Sequence, residues 1–246
     1  MISYWSEQVD SVIINSNIID TVHLPANKQN ATCTGIEIAD GISGAICTSN
    51  HIRNVALGYG VYFGGGIAPS SHGVIASNVV TAARGYGVWV NARGSHPSTR
   101  FPNGSSGPTT GCSVVGNCLH GNAPAGLRSD NVSDETIVAN VVTSSDGAAG
   151  AMLLGGNRRV SFVANTVGYQ PVPSKTQSGV LIQPQAPTSD ATHNYTPSSG
   201  SGLVDVLVRA NISPDNEVVT RHGIDVAGSA TPHNDESESY AAVAGD

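Results

Sequence analysis

The sequence predicts an all-β solenoid, a parallel β-helix of about seven rungs, and three observations lead to this fold class. An asparagine ends a short apolar run seven times along the chain, and after a turn a glycine opens a second run. Many of these runs alternate with period 2 and are rich in β-branched residues, and no stretch shows a sustained period of 3.6. The 246 residues include 29 glycines and 13 prolines but only 12% charged residues, which is typical of a chain with many corners.

Each asparagine and the glycine that follows it mark one rung. The asparagines are Asn17, Asn50, Asn78, Asn117, Asn140, Asn165 and Asn211, and the glycines are Gly35, Gly60, Gly87, Gly126, Gly150, Gly179 and Gly223. The shortest rung spans 23 residues, which holds two or three short strands but no helix of ordinary length. We expect the corner asparagines to adopt the left-handed conformation and stack into a ladder, and the glycines to admit turns closed to residues with a Cβ.

In the strand that each glycine opens, the first and third residues are expected to fill the core. These pairs are Ile36/Ile38, Val61/Phe63, Val88/Val90, Leu127/Ser129, Ala151/Leu153, Val180/Ile182 and Ile224/Val226. Because strand side chains alternate between faces, the residue between each pair should point out of the solenoid. We name these residues the outward column: Glu37, Tyr62, Trp89, Arg128, Met152, Leu181 and Asp225.

The outward column suggests a polysaccharide-binding groove. Tyr62 and Trp89 should lie on neighbouring rungs about 4.8 Å apart, where their rings can stack on the apolar faces of sugars. The polar partners available for sugar hydroxyl groups are Glu37, Asn91, Arg128 and Asp130. The alternative is that the two rings pack across strands beneath a loop or a second subunit.

Two long insertions leave the same edge of this face, at residues 91–111 and 183–202, and both are rich in Gly, Ser, Thr and Pro. Loops of this length are often functional, so the pair is predicted to wall the groove. The first insertion adds Arg93 and His96 to the substrate-binding candidates and also carries Arg100, while the second carries Asp190 and His193. Alternatively, the insertions only cover the sheet, and their composition also permits disorder.

The catalytic candidates are Glu37, Asp40, Arg128 and Asp130. Glycoside hydrolysis needs two carboxyl groups about 5–5.5 Å or about 6.5–9.5 Å apart. Glu37 and Asp225 lie six rungs apart, roughly 29 Å, so the remaining carboxyl pair is Glu37 with Asp40. Arg128 and Asp130 could orient a substrate, although such a pair is more often a surface ion pair. The sequence does not decide whether the protein is an enzyme.

A lyase acting on a uronate would need a cation against the substrate carboxylate and a base near the α-carbon. Its candidates are Arg93, His96, Arg100 and Arg128. No cofactor is predicted, because no metal-binding motif is present. A divalent ion such as calcium, near Glu37 or Asp130, belongs to the lyase alternative alone.

The net charge, the lack of targeting or membrane segments, and the cysteines exclude some classes of protein and partner. The formal charge of −7 and the absence of a Lys/Arg-rich run argue against nucleic acid as a partner. Residues 1–16 have no secretory-signal pattern, and no run approaches 18 apolar residues, so no membrane span is predicted. Cys47 and Cys112 should point inward, Cys118 should lie at a corner and Cys33 in a loop, all reduced.

The strands that end at the asparagines present a second outer surface, the asparagine-strand face. Its first column reads Ile13, Ile46, Val74, Ser113, Thr136, Ser161 and Leu207, and its second column reads Asn15, Thr48, Ala76, Val115, Val138, Val163 and Arg209. A contiguous apolar face on so polar a protein usually has a partner. We therefore expect a homo-oligomer, namely a trimer packed side by side.

The β-helix is predicted to occupy residues 1–227. Residues 228–246 differ from it, with Asp235, Glu236 and Glu238 close together and no repeat. This acidic C-terminal tail is predicted either to be flexible or to exchange with a neighbouring subunit.

The segments VIINSNIID, VIASNVV, TIVANVV and VSFVANTV, together with GIEI, GVYF, GVWV, GVLI and GIDV, resemble the right-handed parallel β-helix proteins built from pectate-lyase-like repeats. These proteins include bacteriophage tailspikes and polysaccharide depolymerases, and the resemblance covers residues 9–226. It implies a right-handed, trimeric, extracellular or virion-borne module that binds a cell-surface glycan. Tailspikes normally add an amino-terminal virion-binding domain, which this chain lacks, so we expect a separate rod component, a capsid decoration or an excised fragment.

Three functions therefore remain open, since the same scaffold hosts enzymes, binding proteins and structural proteins. The first is cell-surface polysaccharide recognition, with or without depolymerisation, and it predicts an open groove around Tyr62 and Trp89. The second is a noncatalytic structural or decoration component of a virion or cell surface, which predicts that protein covers those rings. The third is a free-standing polysaccharide lyase, which predicts a divalent-ion site and activity as a monomer.

Overall fold

The computed structural model describes residues 2–5, 9–23, 33–65, 70–92, 108–144, 149–154, 157–169, 178–182, 204–209, 211 and 224–226. All regular structure in these residues is β-strand, and every strand pair is parallel. The predicted all-β parallel β-helix is thereby confirmed. No helix long and apolar enough to span a membrane occurs in this part of the chain.

Three parallel sheets, A, B and C, run the length of the solenoid. Sheet A consists of β1 (Ile2–Trp5), β5 (Cys33–Ala39), β9 (Gly58–Gly65), β12 (Val88–Ala92), β16 (Leu127–Asp130), β19 (Ala149–Leu153), β22 (Ser178–Ile182) and β24 (Ile224–Val226). Sheet B consists of β3 (Ile13–Asn15), β7 (Ile46–Thr48), β10 (Val74–Ala76), β14 (Ser113–Val115), β17 (Val132–Val138), β20 (Arg158–Val163) and β23 (Val204–Arg209). Sheet C consists of β4 (Ile18–Val22), β8 (His51–Val55), β11 (Val79–Ala83), β15 (Cys118–Asn122), β18 (Val141–Ser144) and β21 (Thr166–Tyr169).

Three short strands complete the rungs. β2 (Val9–Asp10) pairs with β6 (Ile42–Ser43), and β13 (Thr109–Thr110) pairs with β17. The chain thus runs through sheets A, B and C in turn, and one circuit returns it one strand further along each sheet. A protein built this way buries a continuous core because each rung stacks on the next.

The predicted core of sheet A is confirmed wherever its side chains are described. The pairs Ile36/Ile38, Val61/Phe63, Val88/Val90, Leu127/Ser129 and Ala151/Leu153 are all fully buried. Sheets B and C face them with Ile75, Ile137 and Ile52, which are also fully buried. Each such aliphatic side chain contributes about 1.5–3 kcal/mol by leaving water, so packing holds the rungs together.

The predicted asparagine ladder is present at the corner between sheets B and C. From Asn17 to Asn165, each of six asparagines donates its backbone N–H and its Nδ2 to Oδ1 of the next asparagine, at 2.9–3.1 Å. Asn211 accepts the last pair of these bonds. The ladder gives hydrogen-bond partners to backbone N–H and side-chain amide groups at the corner that would otherwise be buried without them.

Two details of the corners differ from the prediction. The left-handed residue is not the asparagine but the one before it, and these residues are Ser16, Ser49, Ser77, Gly116, Ala139 and Ala164, with φ of 53–62°. The repeated glycines are required by close approach and not by a left-handed turn. A Cβ on Gly60, for example, would lie 2.6 Å from the Gly87 carbonyl oxygen on the next rung.

The cysteines follow the prediction with one exception. All four are free; Cys47 and Cys112 are buried in the core, and Cys118 is exposed just after the ladder corner. Cys33, predicted to lie in a loop, instead begins β5 and is 4% exposed. The strand begins two residues before Gly35, where the sequence motif starts. Residues 227–246, which include the predicted acidic tail, lie outside the described residues.

Candidate functional site

The outward column is in the predicted register. Sheet A pairs Glu37 with Tyr62, Tyr62 with Trp89, and Trp89 with Arg128, and the register continues through Met152, Leu181 and Asp225. Tyr62, Trp89 and Met152 form a second apolar cluster, separate from the interior core, as expected for the outer side of the sheet. The alternation of side chains was therefore predicted correctly.

The exposure of the column is lower than an open groove requires. Tyr62 is 6% exposed, Trp89 2% and Arg128 3%. A ring that stacks on a sugar must offer one face to the solution before binding. The burial fits the alternative in which these rings pack beneath a cover of protein.

The aromatic cluster is larger than the sequence analysis suggested. Tyr59 and Tyr86 lie beside Tyr62 and Trp89, and all four rings are at least 92% buried. The Tyr59 and Tyr86 rings stack at 5.7 Å, and the Trp89 centroid lies 4.6 Å from Tyr59 and 5.2 Å from Tyr62. Edge and offset contacts at these distances add about 0.5–1.5 kcal/mol per pair beyond burial. The cluster therefore stabilises the outer side of sheet A.

A signal for the two missed tyrosines is visible in the sequence. The tetrapeptide Gly-Tyr-Gly-Val occurs at residues 58–61 and again at residues 85–88, one rung apart. Each copy places a tyrosine immediately before one of the repeated glycines that mark the rungs. Aligning these two copies would have identified Tyr59 and Tyr86 as a pair of rings on neighbouring rungs.

Arg128 and Asp130 form a buried ion pair at the edge of this cluster. Arg128 Nη2 donates to Asp130 Oδ2 at 2.9 Å, and Nη1 donates to the Tyr86 hydroxyl at 2.5 Å. The guanidinium carbon also lies 4.9 Å from the Trp89 ring centroid. Burial disfavours the guanidinium charge, but the Asp130 carboxylate and Tyr86 together raise the pKa of Arg128, so it stays charged. The pair is buried, and not the surface ion pair considered from sequence.

Both oxygens of Asp130 already have protein partners. Trp89 Nε1 donates to Oδ1 at 2.5 Å, and Arg128 together with Asn91 Nδ2, at 3.4 Å, donates to Oδ2. The carboxylate is fully buried. The carboxylate thereby holds the Trp89, Asn91 and Arg128 side chains together.

The other predicted site residues divide into two groups. Glu37 lies in β5 next to Tyr62 and is half-buried, and Asp40 follows the same strand with φ of 62° and is also half-buried. Asn91 lies in β12 and is brought to Asp130. Arg93 and His96, like Arg100, Asp190 and His193, lie outside the described residues. Within the described residues, no three His, Cys, Asp or Glu side chains are grouped closely enough to hold a metal ion.

A polar cluster inside the solenoid was missed from sequence. Glu135 in β17 points into the core with 1% exposure; Ser129 Oγ donates to its Oε2, and its Oε1 has no hydrogen-bond partner in the part of the chain that the structure describes. Asn157 Nδ2 holds the Ser129 carbonyl and hydroxyl oxygens at 3.1 and 3.2 Å. The alternation of Val132–Val138, which puts Glu135 on the side of Ile137, was the available signal.

Burial without a neighbouring cation raises the pKa of Glu135 to about 8, even though the Ser129 hydrogen bond lowers it, and the Asp130 charge raises it further. The folded protein therefore holds a proton that the unfolded chain releases above its ordinary pKa of 4.5. The stability contributed by this proton is complete below pH 4.5 and is lost as the pH rises towards 8.

We expect the wild type to lose about 1 kcal/mol of unfolding free energy per pH unit, relative to Glu135→Gln, between pH 5 and 8. The glutamine keeps the shape of the protonated acid but does not titrate. Urea unfolding of both proteins at several pH values in this window measures the difference. If the unfolding free energies of the two proteins changed in parallel with pH across this window, a buried, protonated Glu135 would be contradicted.

The asparagine-strand face is also in the predicted register. Sheet B aligns its first column from Ile13 through Ile46 and Val74 to Leu207, and its second column from Asn15 to Arg209. Ile13, Ile46 and Val74 are 69%, 39% and 36% exposed. On these three rungs, unlike in the outward column, apolar side chains meet solvent.

The sequence matches no protein-family model and no curated protein.

Proposed function

We propose that the protein is a noncatalytic structural β-helix, a rod or decoration component of a virion or cell surface. The observation that carries this proposal is the burial of Tyr62 and Trp89, the residues on which a sugar-binding groove would depend. The pectate-lyase-like and tailspike-like repeats in the sequence support the setting, since such scaffolds include structural members.

The arrangement of charged groups supports the same proposal. Arg128 and Asp130 neutralise one another inside the aromatic cluster, and neither presents a free charged group to solution. A catalytic acid or base must reach the proton that it transfers, in a site that admits substrate. Two of the four catalytic candidates instead have a structural role in this arrangement.

The asparagine-strand face supplies the means of assembly. Exposed apolar side chains in register on three successive rungs support a docking surface on this face. We propose that copies of the chain associate side by side through this face as a homotrimer. Two copies have the same rung spacing, so the residues of this face can match rung by rung.

Sedimentation and glycan assays together test this function. We expect the wild type to sediment as a discrete oligomer, and Ile46→Lys/Val74→Lys to weaken association at least about tenfold, because two charges would be buried at the interface. His51→Lys, at an exposed position on sheet C, serves as the matched control and should leave association unchanged. A wild-type protein that is monomeric, or that releases reducing ends from a glycan, would contradict the proposal.

Polysaccharide recognition is the second candidate, and one observation favours it. Two buried polar atoms beside the aromatic cluster, Arg128 Nε and Asn91 Oδ1, have no hydrogen-bond partner among the described residues. A donor and an acceptor next to aromatic rings match the hydroxyl groups and apolar faces of a sugar. Binding on a glycan array that Trp89→Ala abolishes, in a protein of unchanged oligomeric state, would favour recognition over the structural function. No observation on the described residues favours the lyase alternative.

A further inference from the structure

The corner between β16 and β17 encloses a carboxyl group among neutral and acidic groups. Glu135 is 1% exposed and accepts a hydrogen bond from Ser129 Oγ. The titratable groups that interact with it are the Asp130 carboxylate and the buried Cys112 thiol, and neither is a cation. Cys112 lies across from Glu135 on the preceding rung, because Thr136 N–H donates to the Cys112 carbonyl at 2.9 Å. An ionised Glu135 would therefore lack the partner that a buried charge needs.

Charged side chains next to Glu135 along the strands lie on the outer side of this corner. Arg159 on β20 donates to both carboxylate oxygens of Asp134 on β17, at 2.6 and 2.8 Å, and the two side chains are 56% and 49% exposed. Arg158 is exposed as well. Exposed ion pairs are weak, so this one holds the outside of the corner only loosely. Solvent thus begins one residue away from Glu135.

The start of β17 is attached differently from its end. Asn131 and Asp134 have left-handed φ values of 55° and 58°, so they bound a bend that precedes the regular part of the strand. Asn157 fastens this bend to β16, since its Oδ1 accepts the Val132 N–H at 3.1 Å and its Nδ2 donates to Ser129. The asparagine ladder anchors the other end of the strand. The bend can therefore leave the core while the ladder stays intact.

We propose that loss of the Glu135 proton opens this corner locally, so that the solenoid has a pH-sensitive gap between β17 and β20 while its other rungs stay closed. A solenoid is suited to local opening, because each rung contacts only its neighbours. Opening hydrates the carboxylate and exposes Cys112, which is 1% exposed in the closed corner. Glu135 faces the interior and not the asparagine-strand face, so this opening is independent of self-association.

The open fraction should rise with pH over a defined window. In the closed corner, burial raises the pKa of Glu135 to about 8, and in the open corner the pKa returns to its ordinary value of 4.5. The proton therefore stabilises the closed corner fully below pH 4.5, and this stabilisation is lost as the pH rises towards 8. Within the window the open fraction should increase up to about tenfold per pH unit, and above it the increase should level off.

The cysteines can report this opening through their reaction with a maleimide, measured for each residue by mass spectrometry. Cys112 lies beside Glu135, the buried Cys47 lies in β7, three strands away along sheet B, and the exposed Cys118 corrects for the pH dependence of the reagent. Between pH 5.5 and 8, we expect the wild-type Cys112 rate, divided by that of Cys118, to rise at least about a hundredfold. At pH 8, Cys47 should react at least about tenfold more slowly than Cys112.

Two variants connect the opening to the Glu135 proton. Glu135→Gln keeps the shape of the protonated acid but does not titrate, so its Cys112 rate relative to Cys118 should stay constant over this range. Ser129→Ala keeps Glu135 and removes the hydrogen bond that lowers its pKa, so the rise should continue to a higher pH before it levels off.

Three results would overturn the proposal. If Cys47 reacted as fast as Cys112, the whole solenoid would unfold together and no local opening would exist. If the relative Cys112 rate had the same pH dependence in the wild type and in Glu135→Gln, the Glu135 proton would not control it. A rise that levels off at the same pH in Ser129→Ala as in the wild type would likewise exclude Glu135 as the titrating group.

Discussion

Replacing Asp130 with alanine is expected to lower the free energy of unfolding by about 3–5 kcal/mol, because the buried Arg128 guanidinium would lose its counter-charge. Arg128 is 3% exposed and Asp130 fully buried, so water cannot compensate the charge. The substitution also removes the acceptor of Trp89 Nε1 and of Asn91 Nδ2. Urea unfolding monitored by circular dichroism measures the loss.

The double variant Arg128→Met/Asp130→Leu is the control for this result. Replacing a buried ion pair by apolar residues of similar volume is often neutral or stabilising, so most of the lost stability should return. A loss below about 1 kcal/mol for Asp130→Ala, the size found for exposed pairs, would show that solvent reaches the cluster. That result would favour an accessible site on the outward column.

Replacing Asn117 with alanine is expected to cost about 3 kcal/mol or more of unfolding free energy, because side-chain ladder bonds to the rungs on both sides are lost at once. Asn117 Nδ2 donates to the Ile75 carbonyl and to Asn140 Oδ1, and both bonds would be lost. The backbone N–H and Nδ2 of Asn78 would lose their shared acceptor and remain buried. Unsatisfied buried donors cost about 1–3 kcal/mol each, so these two groups dominate the loss.

Asn17→Ala provides the comparison at the end of the ladder. Asn17 is half-buried and its Oδ1 accepts no hydrogen bond from any described residue, so its removal leaves no described asparagine donor without its acceptor. We expect it to cost less than half as much as Asn117→Ala in the same unfolding experiment. If both variants lost the same unfolding free energy, the ladder bonds would not stabilise the protein by satisfying buried donors.

The sequence predicted the fold well because its repeat fixes both period and register. An asparagine on every rung can only stack if the strands are parallel and advance by one rung, and this placed Tyr62, Trp89 and Arg128 side by side. The left-handed residue before each asparagine could not be predicted so directly. Serine, glycine and alanine all occupy that position, so no single residue type marks it.

The sequence predicted which side of sheet A the candidate site residues occupy, but it did not predict how exposed their side chains are. Alternation decides which side of a sheet a residue faces, but the exposure of that side depends on what lies over it, and no local pattern encodes this. Trp89 is therefore on the predicted face and yet 2% exposed. Glu135 was overlooked for a related reason, since a carboxyl group is rarely placed in a core without a cation.

The accessibility of Trp89 tests the structural proposal most directly. The chain has two tryptophans, so acrylamide quenching of a Trp5→Phe variant reports on Trp89 alone. The structural function predicts quenching far below that of the same variant unfolded in urea, with and without a glycan panel. Quenching close to that of the unfolded chain, or protection of Trp89 that appears only when a glycan is added, would contradict it and favour a sugar-binding groove.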